Sequence, residues 1–248
     1  MRFRLALWVS LSALVLLLLP AVALGWANGP HGPDSFGTHD WVLREADRLA
    51  AQKGAGWVNL SVALRHTDDP DSVFHDTYYH CYDVWGSHYG NAPLKVAEYY
   101  GKALAARKAG RHAAASRYVG IMAHYYADIC NPLHTDQCAA EDAMHSDYES
   151  GVDGYTDAAG EHRAWVRYDG YTATRSVSAF TKSAAAAAHV RYGALVRRFN
   201  AGDMSAAVVA LTAKSLNRAA NGLADLIVSL EKGVKGGASA GGGGGIRQ

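Results

Sequence analysis

Hydrophobic positions recur along most of this chain at three- and four-residue steps. No stretch shows the two-residue alternation of a half-buried strand. Thr38 can cap a first helix with Asp40 in its opening turn, and Val42, Ala46, Leu49 and Ala50 give that helix one apolar face. Pro93 suits the first turn of a second helix, which runs to about Ala109 and ends at Gly110. A third helix is predicted from about His112 to Ile129, stopping before Pro132, and a short one over 143–150 ended by Gly151. Two long helices follow, over about 175–199 and 204–232. In the second of these, Leu216, Ala220, Leu223, Ile227 and Leu230 fall on one stripe. Residues 26–37 are rich in Gly, Pro and Asn and are expected to be irregular, and the Gly-rich residues 234–248 are expected to form a disordered tail. The fold class is all-α, a bundle-like single domain over residues 26–233.

The first 25 residues read as a targeting segment. Arg2 and Arg4 precede an almost wholly apolar run from Leu5 to Leu24, and Ala23-Leu24-Gly25 offers the small residues of a signal-peptidase site. The run is also nearly long enough for an uncleaved membrane anchor. Cleavage before Trp26 would make the protein a secreted one. It removes two arginines and no acid, so the formal net charge moves from +1 to −1. So small a charge excludes a strong general field for nucleic acid or anionic lipid. Cys130 and Cys138 are close enough in sequence to close a loop by a disulfide in an oxidising compartment, leaving Cys81 over, and a small buried apolar role suits all three equally.

Twelve histidines in 248 residues are the compositional anomaly. His124 and Asp128 stand four apart on the third helix and leave the same face. His145 and Glu149 repeat that spacing on the next, and His134 lies between the pairs, past Asn131-Pro132. Imidazole and carboxylate together suit zinc; a single such pair is better explained by a surface hydrogen bond, and it is two pairs with a third His within 26 residues that point toward a metal. The segment His66 to Trp85 adds Asp68, Asp69, Asp71, His75, Asp76, His80 and Asp83. Spacing alone does not say which of these would join a metal.

The run His124-Tyr-Tyr-Ala-Asp128-Ile-Cys-Asn-Pro132-Leu-His134, followed by His145-Ser-Asp-Tyr-Glu149, resembles the ligand signature of the bacterial zinc-dependent phospholipase C family, within the superfamily that also holds the S1/P1 nucleases. His80-Cys-Tyr-Asp83 is similar to that family's H-x-Y/W-D element, and Trp26 with His39 is similar to its N-terminal Trp and first-helix His. The resemblance spans about residues 26–150. It implies the all-α phospholipase C/P1 nuclease fold and three zinc ions. One ion would be held by Asp68, His80, His124 and Asp128. A second would be held by His134, His145 and Glu149, with Asp68 bridging. The third would be held by His39, by Asp128 as a bridge, and by the amine and carbonyl of Trp26. Asp69 is the near rival of Asp68.

The implied reaction is hydrolysis of a phospholipid phosphodiester, at a membrane surface, to diacylglycerol and a phosphorylated head group by a zinc-activated hydroxide. Asp68 would accept the proton, with Glu149 as the alternative. Two rival readings are an S1/P1-type nuclease acting on single strands and a zinc-binding module without turnover. The H-x-x-x-E closure at Glu149 and the lack of a basic field favour the phospholipase, with no nucleic acid as partner. Gly29, Asp69 and Thr77 stand where choline-specific members carry acidic and aromatic residues, so head-group preference stays open.

Overall fold

The computed structural model describes residues 26, 36–85, 89–156, 162–199 and 203–241. The predicted signal peptide and most of residues 26–37 lie outside them. Among the described residues there is no β-strand, and no helix is long and apolar enough to cross a membrane.

Helix α1 (Thr38–Gln52) begins one residue earlier than predicted: Gly37, not Thr38, is the cap, Thr38 Oγ1 instead meets Thr156 Oγ1 at 2.7 Å, and the Asp40 carboxylate accepts from the Gly37 N–H at 3.1 Å to close the first turn. A short α2 (Leu60–Leu64) follows, capped by Asn59, whose side chain accepts from the Val62 N–H. Helices α3 (Ala92–Lys108) and α4 (His112–Asp128) form an antiparallel pair on either side of Gly110, in left-handed backbone at φ +71°. The chain then runs through a 3₁₀ turn (Pro132–Thr135), α5 (Ala139–Asp142), α6 (His145–Asp153), α7 (Val177–His189) and α8 (Tyr192–Arg198) to the long α9 (Ala206–Gly241).

The core lies where α1, α3, α4 and α7 meet the buried stripe of α9. Val42, Ala46, Leu49 and Ala50 from α1 and Leu216, Ala220, Leu223, Ile227 and Leu230 from α9 are all buried, as the periodicity predicted. Two ion pairs tie α9 to its neighbours. Lys53 meets Asp225 at 2.9 Å, both nearly buried, and Arg107 meets Glu231 at 2.6 Å.

Four further expectations differ from the structure. The predicted helix over 175–199 is two helices, because Tyr192 and Leu195 turn inward to bury themselves beside the Pro132–Thr135 turn. Gly151 does not stop its helix. A Cβ there would lie 2.9 Å from the side chain of Met204, so this glycine makes room for packing. Residues 234–241, predicted as disordered tail, continue α9. Lys232 sits over the Tyr171 ring at 3.7 Å, and Lys235 pairs with Glu231 one turn back at 3.3 Å. The cysteines are free: Cys130 is buried at the end of α4, where burial pushes its thiol up to about 12, and Cys138 is exposed at the start of α5.

Candidate metal centre

Helix α4 carries the centre. His124 and Asp128, one turn apart, are both fully buried, and Asp128 is surrounded by imidazoles. Its carboxylate lies 2.8 Å from His80 Nδ1, 3.3 Å from His124 Nε2 and 3.4 Å from His39 Nε2, with His134 at 4.0 Å. Burial pushes the Asp128 carboxyl up, but His124, His134 and His39 outweigh it and hold the group well below the usual carboxylate range.

Three groups of ligand atoms gather around this carboxylate: His39 with His124 and Asp128; Asp71 with His80 and His124; and His134 with His145 and Glu149. In the last, Glu149 Oε1 lies 3.0 Å from His134 Nε2 and 2.9 Å from His145 Nε2, and it also accepts from Asn131 Nδ2 at 2.9 Å. His145 opens α6, so the four-residue spacing again delivers both side chains to one face.

The ring orientations suit metal. His124 Nδ1 donates to the Thr67 carbonyl at 2.7 Å, His134 Nδ1 donates to the His80 carbonyl at 3.0 Å, and His145 Nδ1 is held by the buried Glu141 carboxylate. Each of these rings therefore turns Nε2 inward, the arrangement that a protein acceptor imposes on a metal-ligating histidine. Both nitrogens of His39 and Oδ1 of Asp128 are buried without a hydrogen-bond partner. Buried polar atoms are costly when unpartnered, and a divalent cation among them would satisfy both residues. The donor set, nitrogen and carboxylate oxygen in a buried site, fits zinc.

Asp68 is not in these groups, and Asp71 takes the place beside His80 and His124, at 3.6 and 3.7 Å. The cause is local. The Asp68 carbonyl opens a π-helical turn, Pro70–Phe74, by accepting from the Asp71 and Ser72 N–H groups, and this turn swings Asp71 toward the centre. It ends at His75, the one non-glycine residue with positive φ (52°) among the described residues. The Asp68 carboxyl is nearly buried, and burial together with Asp40 and Asp71 pushes it up to about 8. Asp69, the rival, is engaged away from the centre by His66 at 2.9 Å and Arg117 at 3.4 Å. Trp26 is fully buried within the core cluster.

Sequence reasoning missed Glu141 as a partner of His145, although it stands four residues before that histidine just as Glu149 stands four after. It singled out Asp71 and Asp76 only as members of an acidic segment. Asp76 accepts from the Tyr125 hydroxyl at 2.9 Å and lies 3.4 Å from His80 Nε2. Burial pulls His80 down, but Asp128 and Asp76 outweigh it and raise the ring to about 10. A cavity of about 210 Å³ opens onto His80, His134 and His145, with Thr77, Cys81 and Tyr89 at its walls.

No protein-family model matches the chain. A phospholipase C of Listeria monocytogenes is 26% identical over 153 residues, a match covering 52% of this chain and 53% of that protein. The chain therefore aligns with about half the length of this curated relative. Among solved structures, the alpha toxin of Clostridium absonum superposes with a TM-score of 0.63 at 16% identity, over 82% of this chain and 66% of the toxin. The alpha-toxin of an avian strain of Clostridium perfringens gives 0.61 at 15%, over 83% and 66%. The chain thus groups with bacterial phospholipase C in sequence and with the clostridial alpha-toxins in fold.

Proposed function

We propose that this protein is a secreted, zinc-dependent phosphodiesterase of the phospholipase C type, which cleaves phospholipids at a membrane surface to diacylglycerol and a phosphorylated head group. The observation that carries this reading is the convergence of three histidine–carboxylate groups, buried except for the half-buried Asp71, around Asp128, in a chain related to a phospholipase C. Three zinc ions would be held by His39 with Asp128 and the terminus of Trp26; by His80, His124 and Asp128 with an acidic residue of the Asp68–Asp71 turn; and by His134, His145 and Glu149. Bound zinc lowers the pKa of water to near 7 and offsets charge on phosphoryl oxygens.

The chain's own part is to orient these ligands and to accept a proton. Glu149 Oε1 accepts from Asn131 Nδ2 and lies within 3.0 Å of His134 Nε2 and His145 Nε2, its fellow ligand atoms, and its carboxyl is held low despite burial, so it is a poor proton acceptor. Asp68 has an unpartnered buried Oδ2, and without metal its carboxyl is raised to about 8; ionised beside bound zinc, such a carboxylate would be basic enough to take a proton. The substrate would enter by the 210 Å³ cavity, where Tyr78 packs edge-on against Tyr89 at 5.5 Å. Tyr78 is 43% exposed and Trp85 75% exposed, and such aromatics favour the interface of a lipid bilayer.

A panel of defined phospholipids and single-stranded DNA, assayed with the zinc-loaded protein and with Asp128→Ala, tests the reading. Phospholipid turnover lost by orders of magnitude in the variant is expected. Cleavage of DNA alone would make the protein a nuclease, and zinc content with no hydrolysis would leave a binding module.

A further inference from the structure

A cavity of about 670 Å³ lies apart from the one at the metal centre. It lies across α4 from it. Tyr126 is two residues from both His124 and Asp128, so it leaves the helix about 200° round from His124. Its ring stacks on Phe180 of α7 at 6.0 Å and 15°, and both line this cavity. The volume is that of an ordinary small-ligand site.

Its charge is what singles it out. Arg175, Arg191, Lys214 and Arg218 all line the cavity, and among the described residues none of them is ion-paired. Lys214 and Arg218 stand one turn apart on α9 and project to the same side. Arg191, half-buried at the α7–α8 break, donates from Nη1 to the Ala187 carbonyl at 2.7 Å, which anchors its guanidinium at the cavity wall. Burial and the charge of Arg218 both press on Arg191 and lower its pKa. Of the two carboxylates in the lining, Asp225 is neutralised by Lys53 and lies two turns further along α9 from Arg218, and Asp169 lies near Asp225, whose carboxyl its charge helps to raise. The end of the cavity at Arg191, Lys214 and Arg218 is therefore cationic, with no ion-pair partner among the described residues. Two guanidinium forks and an ammonium are donors suited to a tetrahedral oxyanion.

We propose that this cavity is a second ligand site, separate from the metal centre, which binds a phosphoryl-bearing anion between Arg191, Arg218 and Lys214. The ligand is either a soluble phosphate or the phosphate of a lipid head group. The site does not depend on the reading of the metal centre.

Calorimetric titration of inorganic phosphate into the zinc-loaded protein tests this. A His124→Ala background weakens the competing metal centre without touching the cavity. In that background phosphate should still bind, more weakly as NaCl is raised. Adding Arg191→Ser and Arg218→Ser should weaken binding about tenfold or more, because each charged hydrogen bond is worth over ~1 kcal/mol. Lys214→Gln, at an exposed helical position, should shift affinity the same way with an unchanged melting temperature. Co-sedimentation with phosphatidylglycerol and with phosphatidylcholine vesicles separates the sources. Retention on phosphatidylglycerol vesicles that the arginine changes abolish, without binding of free phosphate, assigns the site to lipid head groups. Equal phosphate affinity with and without the arginine changes overturns the proposal. So does binding of neither probe.

Discussion

Each histidine whose Nδ1 is spent on Thr67, His80 or Glu141 has a fixed tautomer, so the centre is organised by acceptors around it as much as by its ligands. Glu141→Gln should therefore lower zinc affinity about 10- to 100-fold, read by chelator competition, while leaving the helix content unchanged. The Asp68–Asp71 turn makes a sharper prediction. Asp71→Asn should cost zinc, because Asp71 lies beside His80 and His124. Asp68→Asn should keep zinc and lose turnover, because Asp68 has the raised carboxyl. Zinc lost from Asp68→Asn and kept in Asp71→Asn would reverse these roles. Titration behaviour follows from the same residues. Without metal, His80 is raised to about 10 and His145 to about 9, against about 6.5 unfolded. Their ion pairs stabilise the metal-free protein fully below about pH 6.5, and this contribution is lost as pH rises through 9 to 10. Zinc must displace those protons, so its affinity should run the opposite way, rising on the order of tenfold per pH unit for each proton released. Proton release on zinc binding, measured calorimetrically in buffers of different ionisation enthalpy, checks this.

Among the elements, α4 is both a packing unit and the carrier of His124 and Asp128. Its Gly120 lets α2 approach closely: a Cβ there would sit 2.1 Å from the Ala63 carbonyl oxygen. In an open helix Gly→Ala is worth about 1 kcal/mol of added stability, but overpacking costs about 1–3 kcal/mol or more. Backbone is the obstacle here, so Gly120→Ala should be destabilising. Thermal unfolding measures it, and a raised melting temperature would contradict the close approach. The helices α1, α3, α4 and α9 were legible in the sequence because each has a cap, a proline or a glycine at an end and an apolar stripe between. The π-helical turn at Pro70–Phe74 was not, because no periodicity marks five residues whose shape depends on hydrogen bonds to the Asp68 backbone and side chains packed elsewhere. The break between α7 and α8 was hidden for the same reason. An alanine-rich run carries no stop signal, and only the burial of Tyr192 and Leu195 selects it.

In the whole molecule, residues separated by more than a hundred positions meet in one bundle, with His39 and Glu149 at the far ends of the ligand set. Trp26, fully buried, belongs to the same core. If its α-amine is a zinc ligand, a free terminus is needed, since an amide nitrogen has no available lone pair. Protein processed to a free Trp26 should therefore hold one more zinc than protein beginning Met-Trp26. Equal zinc content and equal activity in the two would leave Trp26 a core residue only. The sequence by itself determined the all-α class, the four-residue His–carboxylate spacings and the order of the ligand elements, because these are properties of single helices and short runs. Only the tertiary structure decided which carboxylate of the acidic segment stands beside His80 and His124, that Glu141 holds His145, that the cysteines stay apart, and that four cations share a second cavity. Each of these depends on how distant segments pack, and helical periodicity carries no information about distance across a core.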